Sequence, residues 1–177
     1  AFFVVNTDAN PRTTWVANGT SGIYIWGAQL EIGSTATTYN PTTVKNLLGF
    51  TEHFDNAAWT KSNATITSGF TDIYGQPFAQ KLVEDTAAGE HRLRVTGITK
   101  AANSVMTYSA YVKPAGRLVQ LSMEFTGIGL QTVFDVATGT YANFDSAGWT
   151  RTNTIITPVG DGWYRCAISG ITDSGTS

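Results

Sequence analysis

The chain has 177 residues and a formal net charge of −2, with 42% hydrophobic, 12% aromatic and only 14% charged residues. This length predicts one domain, or one domain plus a piece of another. Because charged residues make up about 25% of a typical globular protein, the surface must rely on Thr, Ser, Asn, Gln and Gly. Such a surface favours an extracellular or particle-surface β protein over a cytosolic helical enzyme. The slightly acidic balance excludes the basic surface by which proteins bind nucleic acid.

The sequence also excludes several cysteine-based structures and a membrane-spanning helix. Cys166 is the single cysteine, which excludes an intrachain disulfide and a cysteine metal cluster, and we expect its thiol in the core. No apolar run approaches the ~20 residues of a membrane-spanning helix, so we do not expect membrane insertion. No signal peptide is visible. Since the chain begins without Met and stops at Ser177, we expect it to be an excised fragment of a longer protein.

Residues 22–33 predict a strand that is covered on both faces. Every residue from Ile23 to Trp26 is β-branched or aromatic, as is typical of a fully buried strand. Gly27 interrupts the stretch where a β-bulge or a close backbone contact would fit. Residues 1–6 predict a second, shorter buried strand. Most partners of these strands must therefore come from later in the chain or from another chain.

The rest of the chain predicts short strands and no amphipathic helix. Candidate strands lie at residues 64–67, 78–83, 91–97, 105–113, 118–125, 131–134, 154–157 and 163–169. Gly, Pro, Asn or Asp separates most of them, and no segment keeps apolar residues at helical spacing for three turns. Many short strands between turn residues are typical of an antiparallel sandwich. The predicted fold class is therefore all-β, an antiparallel β-sandwich.

Alternation along the central strands assigns their two faces. The predicted core-facing side chains are Met106, Tyr108, Ala110, Val112, Val119, Leu121, Met123 and Phe125. The predicted outward-facing side chains are Thr107, Ser109, Tyr111, Lys113, Gln120, Ser122 and Glu124. Arg92 and Arg94 extend the outward set from residues 91–97. Together these side chains predict one polar sheet face that carries a single aromatic ring, Tyr111.

One local repeat occurs in the chain. The segments FDNAAWTKSNATIT at residues 54–67 and FDSAGWTRTNTIIT at residues 144–157 match at a constant offset of 90 residues. The similarity stops on both sides, which excludes a solenoid period. We interpret the repeat as one loop-to-strand structure that is used twice, on opposite edges of the sandwich. A chance match in a chain rich in Thr, Asn and Ala is the alternative.

Several short motifs follow one another in a recognisable order. They are NLL at residues 46–48, EHFDNAAWTK at 52–61, KLVED at 81–85, YSAYVK at 108–113, FDVATG at 134–139 and GWYRC at 162–166. As a set they resemble a module that recurs in tail proteins of tailed phages and prophages. In that family the module closes with GIYIWGAQLE and a Tyr-x-Pro-Thr, which are here residues 22–31 and 39–42.

The resemblance covers nearly the whole chain, but in a different order. It implies that residues 1–44 close one module and that residues 45–177 form most of the next. A sandwich without its closing strands would expose two unpaired interior edges. We therefore predict that residues 1–44 fold back to complete a single sandwich over residues 1–177, because a tethered segment has an effective concentration on the order of mM. Strand exchange with a second copy, which gives a swapped dimer, is the alternative.

This family in turn resembles the carbohydrate-binding jelly-roll modules attached to xylanases and glucanases. The likeness implies a jelly-roll sandwich, a location outside the cell or on the virion surface, and a polysaccharide or cell-surface glycan as partner. We therefore expect a non-catalytic glycan-binding module of a tail fibre or tailspike-like adhesion protein. Related sugar-binding sandwiches often hold a structural calcium, although no Asp-rich loop of recognisable spacing occurs here.

Sugar binding by a β-sandwich requires an exposed aromatic ring against the C–H face of a pyranose, with planar polar groups for its hydroxyls. The candidate stacking rings are Trp15, Tyr111 and Trp149. The candidate hydrogen-bonding residues are Arg92, Arg94, Gln120, Glu124 and Gln131. The alternative for Trp149 is a packing role, and the alternative for the two arginines is a solvated strand face paired with Glu124. We expect Trp26, Trp59 and Trp163 to be packing residues.

Catalysis is not predicted. The acidic residues are scattered without the pairing of a glycosidase, and His53 and His91 lack the spacing of a zinc site. No nucleophile elbow, phosphate-binding loop or dinucleotide fingerprint is present. A glycoside hydrolase is therefore a remote alternative. The main alternative is a structural spacer, a repeated sandwich that sets fibre length or oligomer contacts and binds no ligand.

Overall fold

Strands and turns make up the secondary structure of the chain. The computed structural model describes residues 2–5, 19–39, 46–125 and 127–175. The strands in these ranges are β1 (Phe2–Val5), β2 (Gly22–Ile32), β3 (Thr60–Ser62), β4 (Ala64–Phe70), β5 (Ala79–Glu84), β6 (His91–Arg94), β7 (Val105–Ala115), β8 (Leu118–Phe125), β9 (Ile128–Asp135), β10 (Thr140–Asn143), β11 (Thr150–Gly160) and β12 (Trp163–Ile171). The all-β fold class predicted from the sequence is confirmed.

Two six-stranded sheets pack face to face. Sheet A has the strand order β10-β9-β8-β1-β6-β3, and sheet B has the order β11-β12-β7-β2-β5-β4. Every ladder between neighbouring strands is antiparallel. The main hydrophobic core lies between the sheets and takes side chains from both. This arrangement is the antiparallel β-sandwich that the strand pattern predicts.

The strands of the first 44 residues occupy interior positions in both sheets. β1 pairs with β6 on one side and with β8 on the other. β2 pairs in the same way with β5 and β7. Both strands satisfy backbone groups on two sides that would otherwise form open edges. β1 and β2 therefore complete two sheets whose other strands come from later in the chain. Whether residues 1–44 do this within one chain or by exchange between two copies stays a prediction.

β2 is the strand covered on both faces, and it bulges at Gly27. The register toward β7 shifts between Trp26 and Gln29. Before the shift the odd-numbered residues face the main core, and after it the even-numbered residues do. Gly27 has a φ of 59°, and a Cβ atom at this position would lie 3.0 Å from Cδ2 of Tyr111. Of the two alternatives predicted at this glycine, the bulge is confirmed.

The buried residues include Cys166 and the tryptophans expected to pack. Cys166 lies in the main core, and burial raises the pKa of its thiol because the thiolate would lose its hydration. Trp59 packs in the main core, whereas Trp26 and Trp163 belong to a second cluster. All four are almost completely buried. The predicted packing roles of these residues are confirmed.

The two copies of the local repeat lie at opposite edges of the sandwich, as predicted. β3 and β4, from the first copy, are the end strands of sheets A and B, while the second copy leads into β11 at the other end of sheet B. Each copy buries its tryptophan just before a strand. Trp59 meets Phe54 edge-on with the ring centroids 5.0 Å apart, and Trp149 stacks on Phe125 at 5.7 Å.

The structure differs from the predicted strands mainly at the sheet edges. β3 and β10 are not predicted, because each is only three or four residues long and mostly polar. β11 runs well beyond the predicted residues 154–157. The sequence does not predict its outer residues, because much of the strand is exposed and carries no apolar alternation. The strand predicted at residues 91–97 ends at Arg94.

Candidate functional site

The predicted polar face is divided between the two sides of the sandwich. β7 lies in sheet B and β8 lies in sheet A. The turn between them, with Gly116 at a φ of 89°, therefore links two sheets. The prediction of one face carrying both Tyr111 and Glu124 is wrong, because these consecutive strands cross between sheets instead of forming a hairpin.

The outer side of sheet A carries the predicted hydrogen-bonding residues. Gln120 is 0% exposed, and its amide donates a hydrogen bond to Oε1 of Gln131 at 3.1 Å. Arg92 pairs with Glu90, with 2.5 Å between Nη1 and Oε2. Glu124, the expected ion-pair partner, accepts a hydrogen bond from the Ser122 hydroxyl at 2.7 Å. Because Gln120 is fully buried, its amide is not presented to a ligand, and its Oε1 has no hydrogen-bond partner among the described residues.

A cavity of about 340 Å³ opens on the sheet A side. Arg92, Arg94 and Glu124 are among its lining residues, so the structure brings three of the predicted residues together. The apolar part of the lining consists of Leu30, Leu48, Trp59, Val95, Ile98, Met106, Tyr108, Met123 and Phe125. All of these belong to the main core or pack against it. The cavity therefore combines the charged side chains of Arg92, Arg94 and Glu124 with an apolar lining.

The two tryptophans proposed to stack on a sugar do not lie on a described surface. Trp15 lies outside the residues that the structure describes. Trp149 is 7% exposed, and its ring stacks on Phe125 with 15° between the ring planes. One face of this indole is thus covered inside the core. The packing interpretation of Trp149 is favoured over ligand stacking.

Four aromatic rings form a cluster on the outer side of sheet B. Trp26 of β2 and Tyr111 of β7 lie opposite each other, with ring centroids 5.3 Å apart. Tyr39, beyond the end of β2, lies 4.6 Å from the Trp26 ring. Tyr74, in the turn after β4, lies 5.3 Å from it. We call Trp26, Tyr39, Tyr74 and Tyr111 the sheet B aromatic cluster.

Tyr74 is the solvent-exposed ring of the cluster. It is 63% exposed and stands at 86° to the ring of Trp26, which is 2% exposed. The carboxylate of Asp72 accepts backbone hydrogen bonds from Tyr74 at 2.8 Å and from Gln76 at 2.9 Å. This Asx turn fixes the local backbone. The turn therefore presents one tyrosine ring to solvent on a rigid aromatic base.

The segment after β2 crosses the outer side of sheet B and is tied down by polar contacts. The Glu31 carboxylate accepts hydrogen bonds from the backbone and the hydroxyl of Thr37. The Tyr39 hydroxyl shares a hydrogen bond of 2.8 Å with the Thr51 hydroxyl and donates to Glu52 at 3.1 Å. Burial raises the pKa of Tyr39, so its hydroxyl stays protonated as a donor. These bonds hold one wall of the surface in place.

A groove of about 340 Å³ lies beside Tyr111. Its lining residues are Ala36, Thr38, Tyr111, Ile155, Thr157, Val159, Arg165 and Ala167. The guanidinium carbon of Arg165 is 5.8 Å from the Tyr111 ring centroid, and Nη2 donates to the Thr37 carbonyl. Burial raises the pKa of Tyr111, and the charge of Arg165 opposes that shift. The groove therefore combines a cation, an aromatic ring and threonine hydroxyls.

Sequence reasoning includes Tyr111 but misses the rest of this surface. Trp26 is correctly expected to be buried, but its cover comes from the aromatic cluster and not from the opposite sheet. Tyr74 lies in the DIYGQP segment, where an aromatic residue among turn residues is a signal for exposure. Arg165 lies one residue before Cys166, which is in the core, so strand alternation could have placed it outward.

Comparisons with known proteins identify no relative. None of the protein-family models, curated proteins or solved structures that were compared with the chain matches it. The fold and surface therefore define the protein only as an antiparallel β-sandwich with an aromatic outer side. The resemblance to phage tail modules stays a prediction.

The described ranges contain neither a membrane-spanning helix nor a group of metal-binding side chains. No helix there is long and apolar enough to cross a bilayer. Groups of three or more His, Cys, Asp or Glu side chains placed to hold a metal ion are likewise absent from the described residues. The described residues therefore include no such group for the structural calcium that likeness to related sandwiches suggests, and no cofactor is predicted from the sequence.

Proposed function

We propose that the chain is a non-catalytic carbohydrate-binding module whose glycan lies on the sheet B aromatic cluster. The observation that carries the proposal is the exposed ring of Tyr74, held edge-on against the buried ring of Trp26. An exposed aromatic ring offers a flat apolar face to the C–H groups of a pyranose while its hydroxyl stays in water. Tyr74 would therefore supply the stacking contact.

Polar groups around the cluster can bind the hydroxyls of the sugar. Thr38, Thr157 and Arg165 lie along the adjacent groove, and Glu52 contacts Tyr39. Glu52 accepts hydrogen bonds, the arginine donates them, and the threonines do either. Because the Asp72 turn and the Tyr39 hydrogen bonds hold the aromatic rings in place, little ordering is needed when a ligand binds.

The sheet B side supports glycan binding better than the cavity on the sheet A side. That cavity is lined largely by core side chains, whereas the sheet B side presents an exposed aromatic ring beside polar groups. From the sequence motifs we extend the proposal to an extracellular or virion-surface setting, with a bacterial polysaccharide or another cell-surface glycan as partner.

The test is a glycan array of bacterial polysaccharides and plant glucans, followed by isothermal titration calorimetry. We expect the wild type to bind at least one glycan and Tyr74→Ala to bind it about tenfold more weakly, which corresponds to about 1.4 kcal/mol. The matched control is Tyr141→Ala, because Tyr141 is 47% exposed and lies on β10 of sheet A. Its affinity should equal that of the wild type.

Two outcomes count against the proposal. If Tyr74→Ala binds as well as Tyr141→Ala, the glycan does not lie on the aromatic cluster. If the wild type binds none of the glycans, the carbohydrate-binding function is rejected and the structural spacer becomes the better account.

A further inference from the structure

The groove beside Tyr111 contains a positive charge, which indicates the class of sugar it accepts. We propose that the groove binds an acidic sugar, a uronic acid or another glycan unit that bears a carboxylate, through the guanidinium of Arg165. The inference rests on the proposed glycan-binding function and specifies its ligand. Among the described residues that line the groove, Arg165 is the charged one, and the others are Ala, Thr, Ile, Val and Tyr.

The strand register places Arg165 in the middle of the groove floor. On β12 it lies directly opposite Tyr111 of β7 and Thr157 of β11. The next outward-facing residue along β12 is Ala167, which is paired with Ile155. Small and apolar neighbours leave space beside the guanidinium. A ligand in the groove would therefore meet the charge from the open side, with Tyr111 next to it.

None of the described carboxylates forms an ion pair with Arg165. Arg92, Arg117 and Arg151 each form an ion pair with an acidic side chain. Arg165 has no such pair within the described part of the chain. Its Nη2 donates to the Thr37 carbonyl, and its buried Nε has no hydrogen-bond partner among the described residues.

These contacts orient the guanidinium without compensating its charge. The Thr37 carbonyl and the Tyr111 ring are neutral partners, and the ring face attracts a cation only weakly. A ligand carboxylate would form charge-assisted hydrogen bonds, which are shorter and stronger than those to a neutral hydroxyl. The planar arginine fork is well suited to a planar carboxylate. An acidic sugar should therefore bind in this groove more tightly than its neutral counterpart.

The groove also has the size and surface of a sugar site. Its volume of about 340 Å³ lies at the lower end of the ~300–1,000 Å³ that is usual for small-molecule sites. The side chains of Thr38 and Thr157 are exposed there and can bind sugar hydroxyls. The groove adjoins the sheet B aromatic cluster through Tyr111, which belongs to both. One glycan chain could therefore contact Tyr74 with one unit and Arg165 with another.

The experiment compares each acidic polysaccharide with its own neutral derivative by isothermal titration calorimetry. The probes are polygalacturonate, alginate and hyaluronan, each at neutral pH with free carboxylates (the acid form) and as the methyl ester, which removes the charge and keeps the sugar ring. We expect at least one acid form to bind about tenfold more tightly than its ester. This preference should weaken as salt is raised, because the groove is open to solvent.

Variants of Arg165 identify the residue responsible. Arg165→Gln should lose the preference for the acid form, and Arg165→Lys, which keeps the charge without the fork, should retain part of it. The control is Lys61→Gln, which removes one positive charge from β3 of sheet A and should leave the preference intact. Thermal unfolding of each variant shows whether it is folded. The salt series on the wild type does not depend on any variant.

The outcomes separate this inference from the proposed function. If the esters or other neutral glycans bind and the acid forms show no advantage, the acidic-sugar inference is overturned while glycan binding stands. The same conclusion follows if the preference survives in a folded Arg165→Gln. If neither acid nor neutral glycans bind to the wild type, both proposals fail together.

Discussion

Asp72 is a buried carboxylate that holds Tyr74 through backbone hydrogen bonds of the Asx turn. We expect Asp72→Ala to lower the free energy of unfolding by about 1 kcal/mol, because two backbone donors of the turn lose their buried acceptor. We also expect it to weaken glycan binding several-fold, since the Tyr74 ring is no longer held against Trp26. Urea unfolding measures the first effect and calorimetry the second.

Asp135 provides the matched control for that variant. Its carboxylate accepts backbone hydrogen bonds from Ala137 at 3.0 Å and from Thr138 at 3.2 Å, in the turn between β9 and β10 of sheet A. Asp135→Ala removes the same kind of contact far from the aromatic cluster. It should lower stability without changing the affinity for glycan. Unchanged binding in Asp72→Ala would argue against a positioning role for Asp72.

We expect the buried tyrosine hydroxyls and the buried cysteine thiol to lower the free energy of unfolding at alkaline pH. Burial raises the pKa of Tyr39, Tyr108, Tyr111 and Cys166 in the folded protein. Above their ordinary values of 9.0 for cysteine and 10.0 for tyrosine, the unfolded chain loses these protons and the folded chain keeps them. The free energy of unfolding should therefore be constant below about pH 8.5. Above that pH it should decline by up to about 1.4 kcal/mol per pH unit for each group.

Urea unfolding between pH 7 and pH 11 measures this decline. Tyr108→Phe removes one of the ionising groups and should make the decline less steep above pH 10, near the ordinary pKa of tyrosine. A stability profile that stays flat up to pH 11, or an unchanged slope in Tyr108→Phe, would show that these groups ionise alike in both states.

Residue identity predicts which aromatic side chains are buried better than it predicts what covers them. Trp26, Trp59 and Trp163 are buried as expected. Trp26, however, is covered on the outer side of sheet B by Tyr39, which lies beyond the end of its own strand, and by Tyr111 from β7. The exposure of Tyr74 likewise depends on a turn packed against another strand. These roles arise from tertiary contacts that no single stretch of sequence contains.

The β2 bulge offers a test at the level of a single element. Gly27 has a φ of 59°, and an added Cβ would lie 3.0 Å from the Tyr111 ring and 3.1 Å from the Tyr39 ring. We expect Gly27→Ala to cost about 2 kcal/mol or more in unfolding free energy, because it combines left-handed backbone strain with crowding. Binding of glycan should weaken as well, since both rings must shift.

Gly49→Ala is the comparison for this variant. Gly49 is exposed, and a Cβ there would have no neighbour within 4 Å. Its substitution should change the unfolding free energy by no more than about 0.5 kcal/mol. If the two variants have equal stability in urea, the bulge is not the constraint described for β2.

The sequence predicts where most strands lie, but it does not predict which strands pair with one another. The interior strands are predictable because apolar alternation reflects burial between two sheets. β3 and β10 escape prediction because edge strands are short and polar. The crossing from β7 to β8 escapes it because a turn such as that at Gly116 does not reveal whether it joins strands of one sheet or of two. That ambiguity is the reason why the predicted polar face combined residues from opposite sides.

At the scale of the whole molecule, the fold separates two chemically different sides. The side of sheet A contains a cavity lined largely by core residues, with Arg92, Arg94 and Glu124 among its lining. The side of sheet B carries the aromatic cluster and the Arg165 groove. Both sheets depend on strands from residues 1–44 for their interior pairing. The interpretation of these strands as the end of a preceding module, and of strand exchange between copies as an alternative, stays a prediction.

The most direct test of this account is a two-dimensional ¹H–¹⁵N NMR titration of the chain with a glycan that it binds. We predict that the indole signal of Trp26 and the backbone signals of Tyr74, Tyr111 and Arg165 shift together, because these residues share the outer side of sheet B. Shifts confined to the residues around the sheet A cavity, with the Trp26 indole unmoved, would contradict the assignment of the binding surface.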